Sequence, residues 1–97
     1  MERLSFEYPS SQIGLHRAHV GVVGSGDLEV VLEPSPDQVS HVTICTSADG
    51  YGVTWKAVLD RFFLQYHVAV QLAINDFGAT PGVVALRLRQ AVEISTP

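Results

Sequence analysis

Apolar and polar positions alternate with period two through much of the first half of the chain. Ala18, Val20 and Val22 stand against Arg17, His19 and Gly21, and Leu28, Val30 and Leu32 stand against Glu29, Val31 and Glu33. Both stretches therefore predict half-buried β-strands, the first over 17–23. A third strand is predicted over 41–46, with Val42 and Ile44 on one face and Thr43 and Cys45 on the other. The period then changes. Trp55, Val58, Leu59, Phe62 and Tyr66 recur at helical spacing, with Lys56 and Asp60 four apart on the outer face. Alternation returns over 68–75, where Val68, Val70, Leu72 and Ile74 face one way and predict a fourth strand. A second helix follows: Thr80 is a natural N-cap, Pro81 suits the first helical turn, and Val84, Leu88, Ala91 and Val92 form its apolar stripe.

Turn chemistry separates these segments. Gly24-Ser25-Gly26-Asp27 lies between the first two strands and predicts a hairpin, with glycine supplying positive φ and Asp27 local hydrogen bonds to the backbone. Pro34 and Pro36 mark a second turn, and Ser47-Ala48-Asp49-Gly50 a third. Asn75-Asp76-Phe77-Gly78 closes the fourth strand. Ahead of all this, Leu4, Phe6 and Tyr8 alternate briefly, which fits an N-terminal edge strand or an ordered arm. The order is β-β-β-α-β-α, plus that extra strand if it forms. Helices that bury one stripe each on a mainly antiparallel sheet make an α+β two-layer sandwich, with both helices on one face.

Composition narrows the function. The 97 residues are 46% hydrophobic and 16% charged, which fits one packed domain spanning 1–97. A formal charge of −4 without a basic cluster argues against a nucleic-acid partner. No apolar run approaches the roughly 18 residues of a membrane span, and no signal peptide is visible, so a cytoplasmic protein is expected. Cys45 is the only cysteine; it can form no intramolecular disulfide. His16, His19, His41 and His67 lack metal-ligand spacing, and no metal site is expected. A chain this small is also expected to lack a deep substrate pocket beside its core.

Two fragments resemble functional motifs without their context. Asp76-Phe77-Gly78 matches the metal-binding triplet of protein kinases, but the other kinase elements are missing, so it reads as a turn. Gly21, Gly24 and Gly26 have the wrong spacing for a dinucleotide loop, and a strand follows them where a helix would be needed. Ser25 remains. A catalytic serine needs an oriented base and a shielded setting, neither of which is visible around it. From the residues alone Ser25 is either an ordinary turn serine or a hydroxyl presented for modification by another enzyme. The flanking glycines would ease entry into that enzyme's active site.

Three segments carry a more specific signal: Val20-Gly-Val-Val-Gly-Ser-Gly-Asp-Leu-Glu-Val30, Trp55-Lys-Ala-Val-Leu-Asp-Arg-Phe-Phe63 and Ile74-Asn-Asp-Phe-Gly-Ala-Thr-Pro-Gly82. Together they resemble the acyl carrier (δ) subunits of bacterial malonate decarboxylase, over essentially the whole chain. A weaker likeness extends to the citrate lyase acyl carrier subunit. The resemblance implies that Ser25 carries a 2'-(5''-phosphoribosyl)-3'-dephospho-CoA group through a phosphodiester, with Gly24, Gly26 and Asp27 as the supporting loop.

The working atom would then be the pantetheine thiol, and the chain itself would be no enzyme and hold no catalytic residue. The resemblance further implies three kinds of partner: an acyltransferase subunit that exchanges acetyl for malonyl, two catalytic subunits that decarboxylate the malonyl thioester, and a transferase that installs the group. The net reaction turns malonate into acetate and carbon dioxide. A thioester helps because its carbonyl delocalises the carbanion left by decarboxylation as an enolate, which oxyanion donors can stabilise. A tether makes each visit intramolecular, at effective concentrations of about millimolar. Ordinary acyl carriers present Asp-Ser-Leu at a helix start, whereas this chain has Ser25-Gly26-Asp27-Leu28 on a predicted hairpin; ordinary phosphopantetheinyl transferases are therefore not expected to recognise it. Asp27 and Glu29 are placed to hold the loop or to aid docking, with the loop role preferred for Asp27. The rival expectations are an unmodified structural or small-ligand-binding subunit and, further off, a small serine hydrolase.

Overall fold

A computed structural model describes residues 1–10, 16–22, 24 and 26–96. Five strands form one sheet: β1 (Glu2–Pro9), β2 (Ala18–Gly21), β3 (Leu28–Pro34), β4 (Val39–Thr46) and β5 (Val70–Asp76). Two helices, α1 (Gly52–Gln65) and α2 (Pro81–Ser95), complete an α+β fold of order β-β-β-β-α-β-α. The alternation at Leu4, Phe6 and Tyr8 thus belongs to an eight-residue edge strand, antiparallel to β4 along its length.

The strands lie in the order β1-β4-β5-β3-β2. All pairings are antiparallel except β4 with β5, which run parallel because α1 carries the chain back between them. Register stacks the apolar positions into rows across the sheet. Leu4, Ile44, Ile74, Val30 and Val20 form one row, and Phe6, Val42, Leu72, Leu32 and Ala18 the next. These rows face the helices. Trp55, Leu59 and Phe62 of α1 and Val84, Leu88, Ala91 and Val92 of α2 close the core over them. Residues between the rows, such as Thr43, Gln71 and Ala73, lie on the open face and are exposed.

Element ends depart from the periodicity in ways that have local causes. The first hairpin strand stops at Gly21, not at residue 23, where φ is +80° and a Cβ would run into the Leu28 carbonyl oxygen. Val23 lies outside the described residues. The third predicted strand starts two residues earlier, at Val39, and the fourth runs from Val70 to Asp76. Ser40 explains that junction: its fully buried hydroxyl donates to the Val68 carbonyl at 2.6 Å and accepts from the Val70 amide at 3.0 Å. It stands in for ladder bonds where the strands meet. Helix α1 ends at Gln65, and Tyr66, counted in its apolar stripe, sits at the extended C-cap while still packing on the core.

Phe63, outside that stripe, is buried as well. It stacks on Tyr8 of β1 at 4.4 Å between ring centroids and meets Phe62 edge-on at 4.9 Å. The Tyr8 hydroxyl then donates to Asp60 at 2.6 Å, so β1 is tied to α1 by both ends of one side chain. Burial, and after it the Asp60 carboxylate, push that hydroxyl well above the usual phenol range. Lys56 holds the same carboxylate from within the helix at 2.9 Å. In α2, Thr80 caps as its sequence predicts, accepting from the Val83 amide, with Pro81 directly after it.

Candidate functional site: the 24–27 turn and the cavity beside it

The two strands β2 and β3 form the antiparallel hairpin that their alternation predicts. Its connection is closed by the Asp27 amide donating to the Gly24 carbonyl at 3.1 Å, with Gly26 at φ +77° as third residue of the turn. Ser25 lies outside the described residues, so the site is defined by what flanks it. Gly26 donates its N–H to the Phe77 carbonyl at 2.7 Å, and the Phe77 amide donates to the Asp27 carbonyl at 2.9 Å. The turn is thereby laced to the bend that follows β5.

Asp27 fastens the turn to a third element. Its carboxylate takes two bonds from Arg87 of α2, at 2.8 Å from Nη2 and 3.2 Å from Nε, and accepts the Leu28 amide at 2.7 Å. Both side chains are mostly covered, and such a forked pair fixes orientation as well as distance. The Arg87 bonds, followed by the Leu28 amide, hold the Asp27 carboxyl below the usual aspartate range. Gln90 accepts the remaining Arg87 arm at 3.0 Å. Glu29, two residues on, lies on the open face, where Asn75 donates to it at 2.9 Å and His19 pairs with it at 3.0 Å. Arg87 carries no signal in the local sequence, because it sits 60 residues from its partner.

Beyond the bend lies a feature that chain length argued against. A half-open cavity of about 390 Å³ occupies the end of the sheet between the N-termini of α1 and α2. Thr46, Ala48, Tyr51, Trp55, Asp76 and Gly78 are among its lining residues. Parallel register sets Thr46 beside Asp76 on the helix side, where the Thr46 hydroxyl donates to Asp76 at 2.8 Å. Asp76 also accepts the Ala79 amide at 3.0 Å, and Thr46 accepts that of Ala48 at 3.1 Å. Both side chains are buried, so these bonds fix the loops that rim the cavity. Asp76-Phe77-Gly78 is therefore a strand end and bend, as its context predicts, and it joins the cavity to the 24–27 turn.

Comparison with known proteins decides what kind of chain this is. The family model of the malonate decarboxylase delta subunit, an acyl carrier protein, matches residues 15–95. The chain belongs to this family. Among individual relatives, the malonate decarboxylase acyl carrier protein of Pseudomonas savastanoi pv. phaseolicola is 54% identical over 95 residues, covering 96% of this chain and 95% of that one. The Azotobacter vinelandii protein of the same name is 50% identical over 94 residues, with the same shares covered. A chain in the crystal structure of a Pseudomonas malonate decarboxylase hetero-tetramer in complex with malonate superposes with a TM-score of 0.91 at 49% identity, covering 97% of this chain and 98% of its own. The turn, the Asp27–Arg87 clamp and the cavity all fall within the segment that matches the family model. No helix among the described residues is long and apolar enough to cross a membrane.

Proposed function

We propose that this chain is the acyl carrier subunit of a malonate decarboxylase, that Ser25 is the attachment point of a 2'-(5''-phosphoribosyl)-3'-dephospho-CoA group, and that the chain catalyses no step itself. The carrying observation is the contrast within the turn. It is fastened by the Gly26 backbone N–H to Phe77 and by the Asp27 side chain to Arg87, yet a Cβ built on Gly26 would meet nothing within 4 Å, and one on Gly24 only the edge of Val22. A held loop with free space around it fits a bulky nucleotide anchor. When bound, that group supplies a thiol on a long arm, able to carry acetyl or malonyl as a thioester.

The residues of this chain do the holding. Gly24 and Gly26 place no side chain on either neighbour of Ser25, which favours entry into a modifying enzyme. Asp27, Phe77 and Arg87 hold the residues that follow the attachment point. The solved relative is a subunit of a hetero-tetramer, which supports partners of the same kind here: an acyltransferase, decarboxylating subunits and, before them, an enzyme that installs the group. The chemistry of acyl exchange and decarboxylation belongs to those partners, in the cytoplasm.

Intact mass tests the reading. Coexpressed with the modifying enzymes of such a system, the wild-type chain is expected to gain the mass of the group, and Ser25→Ala is expected to gain nothing while unfolding within ~0.5 kcal/mol of wild type. A wild-type chain that stays unmodified under those conditions, or a Ser25→Ala chain that gains the same mass, overturns the assignment.

A further inference from the structure

We propose that the cavity between the N-termini of α1 and α2 is a seat for the purine base of the arm, so that only the portion beyond the base swings. This rests on the reading that Ser25 carries the group. The first argument is proximity. Gly78 lines the cavity, a Cβ on it would lie 3.9 Å from the Gly26 nitrogen, and the neighbouring Phe77 carbonyl accepts the Gly26 N–H. The mouth of the cavity and the turn are thus adjoining parts of one surface. A base attached near that turn reaches the cavity without the arm having to fold back from its far end.

The second argument is chemical. At about 390 Å³ the cavity falls in the usual range of small-molecule sites, roughly 300–1,000 Å³, and is lined mainly by apolar atoms. Tyr51 is an exposed ring and offers stacking surface, which suits a base of any orientation, while the nearly buried Trp55 forms part of the wall beside it. Asp76, whose two carboxylate oxygens each take one hydrogen bond already, makes the polar part of the wall acceptor in character, the sense that an exocyclic amino group complements. Thr54, in the first turn of α1, which has no side-chain cap, also lines the cavity. Among the described residues no Lys or Arg lines the cavity, and a carboxylate does, which disfavours the phosphates of the arm. Pantetheine is the other uncharged part, but it must leave the carrier to reach the partners, and a lasting seat has to hold a part that does not travel.

Nuclear magnetic resonance on ¹⁵N-labelled protein tests this in two ways. Adenosine at millimolar concentration, added to the unmodified chain, is expected to shift the Trp55 indole N–H and the Ala48 and Gly78 amides saturably, with pantetheine shifting none of them. In the loaded chain, whose modification is read separately by intact mass, the purine protons are expected to show nuclear Overhauser contacts to the Trp55 ring. Ala48→Leu, which intrudes on the cavity, is expected to lose both signals while keeping a cooperative urea transition and the mass gain. The assignment is overturned if pantetheine, and not adenosine, produces the shifts, if loading perturbs residues 24–27 alone, or if Ala48→Leu keeps the Trp55 contacts. A chain that takes no group yet binds adenosine at Trp55 refutes the carrier reading and leaves the purine seat supported.

Discussion

The Thr46–Asp76 pair offers a sharp energetic test, because it is buried, spans the parallel β4–β5 pairing and fixes both loops beside the cavity. Replacing Asp76 by Ala removes the acceptor of the Thr46 hydroxyl at 2.8 Å and of the Ala79 amide at 3.0 Å. With 4% of Asp76 and 1% of Thr46 exposed, water replaces those bonds poorly. Each orphaned buried donor costs about 1–3 kcal/mol, so the variant should lose about 3 kcal/mol. For a domain of this size that corresponds to a fall in Tm of roughly 10–20 °C. Thr46→Val, close in shape, removes the donor to Asp76 and the acceptor of the Ala48 amide. It should cost about 2 kcal/mol by the same reasoning. The double variant loses the shared bond only once, so a coupling of about 1–2 kcal/mol is expected. Urea unfolding followed by Trp55, the only tryptophan, measures all four proteins. Additivity within about 0.5 kcal/mol would refute the claim that this bond holds the loops together. Gly26 provides a local readout: its amide should exchange faster in Asp76→Ala than global unfolding explains, because the bend that accepts its N–H has lost an anchor.

The other predictions concern the remaining polar joints. Ser40→Ala orphans the Val70 amide and the Val68 carbonyl in the core and should cost about 1–3 kcal/mol in urea unfolding. Asp27, Glu29, Asp37 and Asp60 all have carboxyls held below their ordinary values of 3.8 or 4.5, with Arg87, Asn75, Ser35 and Tyr8 respectively as first cause. Their contribution is therefore fully present above those ordinary values and lost as pH falls through the lowered ones. Stability should be nearly flat from pH 7 to about 5 on this account and fall below about 4. Arg87→Gln should be less stable than wild type at pH 7, with the gap narrowing as acid protonates Asp27. The same variant should speed amide exchange at Gly26 and Asp27 and slow loading of Ser25 by the modifying enzymes. Unchanged exchange there would mean that Phe77 alone holds the turn.

How far the sequence foretold this arrangement depends on the range of each interaction. Strands and helices were legible wherever one face is buried, because alternation or helical spacing follows directly from that burial. Even β1 followed this rule through Leu4, Phe6 and Tyr8. Phe63 escaped it because α1 has two apolar neighbours: the sheet and α2 set the main stripe, while Tyr8 of the edge strand collects Phe63 from the side. The parallel β4–β5 pairing was not legible, since both strands alternate as antiparallel ones do. At the site, the glycines and Asp27 were visible as turn chemistry, whereas Arg87 and Phe77 were not. They reach the turn through the folded sheet and helix layer, from 50 to 60 positions away, where no spacing rule operates. The cavity was hidden for the same reason: it arises from the ends of elements whose relative placement only the topology fixes.

That topology has a consequence for the protein's birth on the ribosome. The strand that joins the two halves of the sheet, β5, is the last of the described strands, and the side chain that clamps Asp27 comes eleven residues after it. A nascent chain can therefore display residues 24–27 long before the groups that anchor Gly26 and Asp27 exist. On the proposed carrier reading, an enzyme that reads the clamped turn would pass over such unfinished chains and modify only carriers translated through residue 87 and folded. On that reading, placing the anchors so late makes completion of synthesis a precondition for being charged.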